Sequence, residues 1–232
     1  MEKLVLYIGN RNYSSWSMRA WMALEGSGIP FEDVLIPFDF EAGNPEIKAI
    51  SPTGLMPFLR HGTLTVWETL SIIEYVAELF SDAGVWPKDR EARSLARSIS
   101  AEMHAGFRAL RGACPMNMRR TPGKIDLPDG VARDVSRIEA IWRDCLAKSG
   151  GPFLFGAFSA ADAMFAPVIW RFHSYNVPEH AELSDESRAY LATMLAHPAM
   201  QAWERSALAE TEALAHYDTA ALANFGGVRS VE

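Results

Sequence analysis

Cysteine is scarce in this 232-residue chain: there are two, Cys114 and Cys145. None stands ahead of position 114, so no protein thiol in that stretch can act as a nucleophile or redox centre. Two cysteines without a matching histidine pair carry no metal-ligand spacing. Met1-Glu2-Lys3 opens onto an apolar run too short for a signal core, so a reduced, cytoplasmic protein is expected. No apolar stretch approaches the ~20 residues of a membrane span. Basic runs are just as rare. Arg119-Arg120 is the longest, and a net charge of −7 disfavours nonspecific binding to nucleic acid. Apolar residues, by contrast, make up 49% of the chain, and charged residues 22%, which is the balance of a globular protein with a substantial core.

Strand and helix signals alternate at first. Leu4–Ile8 reads as a buried strand, Ser15–Gly26 as a helix closed by Gly26 and Gly28, and 31–36 as a second strand with β-branched bulk. One or two helical turns fit 44–50. Segments 56–60 and 63–66 read as a hairpin about His61-Gly62, and 68–80 as a helix with Ile72, Ile73, Val76 and Phe80 on one side. A β-α-β unit followed by a hairpin predicts a mixed four-stranded sheet: the first two strands parallel, the hairpin antiparallel. Beyond Ser81 the strand signals stop. Helical windows follow at 90–112, Asp129–Ser149, 160–175, 184–196 and 198–214. The third is apolar on most sides and should be the buried one. The expected organisation is an α/β domain over 1–80, a linker over 81–89, an all-α domain over 90–215, and a tail over 216–232 whose last residues are loose.

The run Asn12-Tyr13-Ser14-Ser15-Trp16-Ser17-Met18-Arg19 joins the first strand to the first helix. A helix start leaves backbone N–H groups without partners and carries about half a positive charge. With serine hydroxyls added, it is shaped for an anion. Read alone, Ser14, Ser15 and Ser17 could equally be helix caps.

Four features in order resemble the cytosolic glutathione transferase superfamily. They are the serine-bearing turn at Ser14 to Arg19, the stretch Ser51-Pro52-Thr53-Gly54-Leu55-Met56-Pro57, the helix start Trp67-Glu68-Thr69-Leu70-Ser71, and Ser159-Ala160-Ala161-Asp162 before an apolar helix. The Ser-Ser-x-Ser-x-Arg run is most like the zeta class, which includes maleylacetoacetate isomerases, although Trp16 stands where those enzymes typically have cysteine. The resemblance implies a thioredoxin-like first domain that binds glutathione as co-substrate and a helical domain that borders a pocket for a small electrophile. It implies that Ser14, with Ser15 the close alternative, donates a hydrogen bond to the glutathione sulfur. It counts Ser17 and Arg19 among the glutathione-binding residues, Arg19 by helping to hold the turn or its charge, although Arg19 could also be a plain surface residue. Lowering a thiol pKa from about 8.5 to about 6.5 takes roughly 2.7 kcal/mol. A helix start offers up to ~1–2 kcal/mol and a hydrogen bond to a charged group ~1.5–3 kcal/mol, so the two together suffice.

The same resemblance implies a cis Met56–Pro57 bond that turns the Met56 backbone toward the cysteinyl part of glutathione. Glu68 would pair with the γ-glutamyl ammonium and Thr69 with its carboxylate, while Lys48 could reach the glycine carboxylate. Ser159 and Asp162 form a structural capping box. On the first long helical window His104, Arg108 and Arg111 share a face, and with Phe107 they could hold an acidic electrophile or form a solvated basic surface. Met116 and Asn117, in the loop that follows, could line the same pocket. Trp16 and Trp21 read as core. A homodimer is expected. Isomerisation of the maleylacetoacetate type and a non-catalytic glutathione- or ligand-binding protein are the alternatives to a transferase.

Overall fold

β1 (Leu4–Ile8) runs through the middle of the sheet because both its faces are covered: Leu4, Leu6 and Ile8 are buried on one side and Tyr7 packs on the other. In the computed structural model, which describes residues 2–123, 128–179, 182–215 and 217–218, the sheet order is β2-β1-β3-β4. β2 (Glu32–Leu35) pairs parallel to β1, whereas β3 (Phe58–His61) and β4 (Leu64–Trp67) complete it antiparallel, as expected of a mixed four-stranded sheet. The hairpin sits further along than the sequence predicts. Pro57 has no N–H for a ladder, so pairing starts at Phe58, and Gly62, at φ 58°, makes the turn.

α1 (Ser15–Gly26) and α3 (Thr69–Leu79) cover one sheet face. α2 (Pro45–Ile50) covers the other with a small cluster of Ile36, Ile47, Met56 and Phe58. The rest of the chain is helical: α4 (Arg90–Ala105), α5 (Arg108–Ala113), α6 (Asp129–Ser149), α7 (Ala160–Ser174), a 3-10 turn Val177–Glu179, α8 (Asp185–Ala196) and α9 (Pro198–Leu208). As its composition predicts, α7 is buried on nearly every side. It packs along α1, and the Arg19 Nε donates to the Met164 carbonyl at 2.8 Å, tying the two parts together. One continuous apolar core runs through both.

Two helical windows differ from expectation. The window 90–112 is broken into α4 and α5. Gly106 leaves the helix, where a Cβ would stand 2.8 Å from the Glu102 carbonyl oxygen, and Phe107 takes φ 55° to bury its ring in the core. The last helix stops at Leu208 instead of 214, because Glu210 turns back to receive hydrogen bonds from the Arg11 and Asn12 backbone N–H groups. Of the expected tail 216–232, all but Tyr217 and Asp218 lie outside the described residues. Cys114 and Cys145 are free and buried, and burial pushes both thiols up to about 11, so they stay protonated. Among the described residues no helix is long and apolar enough to cross a membrane.

Candidate functional site

Ser14 caps α1. Its Oγ accepts the Ser17 N–H at 3.3 Å and donates to the Ser17 Oγ at 2.7 Å, while the Ser17 Oγ also accepts the Gly9 N–H at 3.1 Å. This relay stitches the end of β1 to the first turn of the helix. Ser17 is fully buried within it, and the Ser14 proton is committed to it. The Ser15 side chain is different. Ser14 and Ser15 both line a cleft of about 840 Å3, but the Ser15 hydroxyl has no hydrogen-bond partner among the described residues. Beside it the Trp16 N–H is the first-turn donor without a backbone partner there, since those of Ser15, Ser17 and Met18 are engaged by Tyr13 and Ser14. Ser15 and Trp16 both line the cleft, so an unpartnered hydroxyl and an unpartnered amide stand side by side at a positive helix end. Ser14→Ala should remove the cap and cost about 1 kcal/mol of stability, read from urea unfolding.

A smaller cavity of about 260 Å3 adjoins the cleft and shares Trp16 and Met56 with it. Met56–Pro57 is cis, and no backbone hydrogen bond among the described residues engages the Met56 N–H or C=O. Glu68 and Thr69 form the far wall. Glu68 holds φ 68°, ψ 129°, a backbone setting that costs a non-glycine residue on the order of 1–3 kcal/mol. Its carboxylate is more than half exposed. The Thr69 hydroxyl donates to the Trp16 carbonyl at 3.2 Å, so it fastens α3 to α1. Lys48 is exposed on α2 and lines neither cavity.

The opposite wall of the cleft is basic. Although the helix is broken, His104, Arg108 and Arg111 all reach it, as does Met116. Phe107 turns into the core instead. Asn117 is buried and works within the fold. It donates to Asp218 at 3.0 Å, and its side-chain oxygen and carbonyl accept from the Arg119 N–H and the Trp170 indole. Burial outweighs the nearby Glu68 and, with Arg19 and Arg111, holds the His104 pKa below its usual value. The imidazole Nε2 stands 3.8 Å from the Glu68 carboxylate. Trp16 stands among these groups, with the Arg19 and Arg111 guanidiniums 4.7 and 4.6 Å from its ring and His104 at 4.8 Å. Arg19, read from sequence as part of the turn or a surface residue, is fully buried and does not line the cleft.

Sequence reading missed three contributors. Arg171, on the buried helix α7, reaches the cleft floor. Glu210, together with the Asn12 amide donating to it at 3.1 Å and to the Ala207 carbonyl at 2.6 Å, clamps the loop ahead of Ser14. Tyr13 donates to the Asp218 carboxylate at 3.0 Å and stacks on Tyr217, which also borders the cleft. No local motif marks these partners, because they lie about two hundred residues apart in the chain or inside an apolar helix. Arg119 and Arg120, the longest basic run, are buried and hold backbone carbonyls of Glu212 and Ser174.

Comparison with known proteins points the same way. A family model described as glutathione S-transferase, N-terminal domain, matches residues 13–79, and one described as glutathione S-transferase, C-terminal domain, matches residues 127–206. The maleylacetoacetate isomerase of Rattus norvegicus is 25% identical over 208 residues, covering 86% of this chain and 94% of its own length. Glutathione S-transferase GstB of Escherichia coli strain K12 is 24% identical, covering 72% of this chain and 74% of its own. Among solved structures, a glutathione transferase homolog from Burkholderia gl BGR1 with bound glutathione superposes with a TM-score of 0.68 at 23% identity, covering 89% of this chain and 98% of its own. The two domain matches, in the order and places where the sheet and the helical bundle fall, make this chain a member of the glutathione S-transferase family.

Proposed function

We propose that this protein is a glutathione-dependent transferase in which Ser15 and the Trp16 N–H hold the glutathione sulfur as a thiolate for attack on a small electrophile in the cleft. The observation that carries the reading is the contrast between two adjacent hydroxyls on the cleft: that of Ser14 is given to Ser17, while that of Ser15 has no partner among the described residues. Both helix-start charge and hydroxyl favour the anion, and together they are sufficient for a shift of about two pKa units. The Met56 N–H and C=O would pair with the cysteinyl backbone. Glu68 would receive the γ-glutamyl ammonium, and the N–H groups at the start of α3 the neighbouring carboxylate.

Calorimetry with glutathione, followed by the ultraviolet absorbance of bound thiolate near neutral pH, tests this. Binding with a thiolate band is expected. Binding without the band would favour a ligand-binding protein of the same fold, and no binding at all would discard the enzyme. A second reading, cis/trans isomerisation of the maleylacetoacetate type, is supported by the extent of the match to the isomerase of Rattus norvegicus. The thiolate would add, allow rotation and leave again, so maleylacetoacetate would be converted with no glutathione consumed. A homodimer is expected by resemblance, and sedimentation equilibrium at the monomer mass would discard it.

A further inference from the structure

His104 and Glu68 come from different parts of the molecule and meet where the two cavities join. His104 lies in the last turn of α4 and lines the cleft, whereas Glu68 opens α3 and lines the smaller cavity. Across the 3.8 Å between Nε2 and the carboxylate nothing else competes: among the described residues no other cationic side chain comes within ion-pair distance of Glu68. Both groups are held in place. Trp16 packs on the imidazole at 4.8 Å, the Arg111 guanidinium donates to the His104 carbonyl at 3.2 Å, and Glu68 keeps its positive φ. The other ring nitrogen, Nδ1, is buried without a partner, so charging the ring puts an N–H there with no acceptor. Arg19 from α1 and Arg111 from α5 also oppose that charge, and Arg108 lines the same cleft. Glu68 is the one side chain acting on the ring that favours the charge, together with the carbonyl end of α4. The protonation of His104 therefore depends on a free Glu68 carboxylate.

We infer that His104 is a proton-operated gate on the γ-glutamyl end of glutathione: the protonated imidazole pairs with Glu68 and competes with the incoming ammonium, and the neutral imidazole leaves the carboxylate to the ligand. The inference rests on the glutathione reading, which gives Glu68 to that ammonium. The sign follows from linkage. An ammonium beside Glu68 brings a second cation near the ring, so the bound state holds the His104 proton less tightly than the free state. Binding to the protonated form must release that proton, and affinity weakens as pH falls through the His104 titration. His104 acts through Glu68 and touches no reacting atom, which makes it a positioning residue.

S-methylglutathione is the probe, because it has no thiol to titrate and its ammonium and carboxylates keep their charges between about pH 5 and pH 7. Calorimetry should find its affinity about three- to fivefold weaker at about pH 5 than at about pH 7, the upper range for a partly exposed pair. His104→Gln should remove that dependence. The His104 Cε1 proton, followed by nuclear magnetic resonance, should titrate at lower pH when the probe is bound, and also at lower pH in Glu68→Gln without any ligand. A flat affinity in the unmodified protein, or the same loss in His104→Gln, overturns the gate and leaves the glutathione reading standing. An unmoved His104 titration in Glu68→Gln overturns the pairing itself. Absence of binding at either pH discards the glutathione reading, and a gate on that ligand goes with it.

Discussion

Ser15→Ala should lower kcat/KM for glutathione conjugation by about 10- to 100-fold, because a hydrogen bond to a charged group is worth ~1.5–3 kcal/mol and each ~1.4 kcal/mol is tenfold in rate. The same loss appears in the pH profile. Without the hydroxyl the bound thiol should titrate about one to two units higher, so activity lost at pH 7 is largely regained in alkaline buffer. Glutathione affinity should change less than kcat, since on the proposed reading the tripeptide's backbone and γ-glutamyl end would be held elsewhere, at Met56 and at Glu68 with the start of α3, which line the smaller cavity. Ser14→Ala gives the control. It removes a cap whose proton already belongs to Ser17, so its cost falls mainly on stability. A folded Ser14→Ala protein that loses as much activity as Ser15→Ala, with the same displaced pH profile, would reverse the assignment.

Asp162→Ala should destabilise the fold by at least about 3 kcal/mol, the second large effect, measured by urea unfolding. The carboxylate is completely buried and accepts from the Leu154 N–H at 3.1 Å, the Ser159 N–H at 2.9 Å, the Ser159 hydroxyl at 3.1 Å and the Tyr190 hydroxyl at 3.0 Å. Alanine strands these donors at the start of α7, the helix against which α1 and its serines are packed. Burial pushes the Asp162 carboxyl up to about 6 against the pull of those hydrogen bonds. A folded pKa above the unfolded value of about 4 means that the native state binds the extra proton. The contribution of Asp162 is therefore full below about pH 4 and falls as pH rises to about 6. The stability difference between the unmodified protein and Asp162→Ala should be larger at pH 4 than at pH 7. A difference that grows with pH would contradict the sign.

The two substitutions probe opposite kinds of position. Asp162 was readable from a four-residue pattern, and Ser159-x-x-Asp162 forms the expected capping box. The bounds of β1, α1 and α6 are likewise those read from the sequence, from a continuous apolar run for β1, closing glycines for α1 and one apolar stripe for α6. The cis Met56–Pro57 bond came with the family resemblance and not from the dipeptide. Periodicity also carried the window 90–112 straight through Gly106. It could not register that Phe107 gains a buried site only by leaving the helix.

Local patterning was thus enough for the element types, the mixed sheet and the buried helix, since each depends on neighbours within a few residues. Which of two adjacent serines gives its proton to Ser17, and where the last helix stops, were settled by packing. Arg19 meets Met164 at a separation of 145 residues, and Arg11 meets Glu210 at 199. Such partners become neighbours only once the core has closed. The burial and charge that set their chemistry are properties of that closed space, which no short window of residues contains.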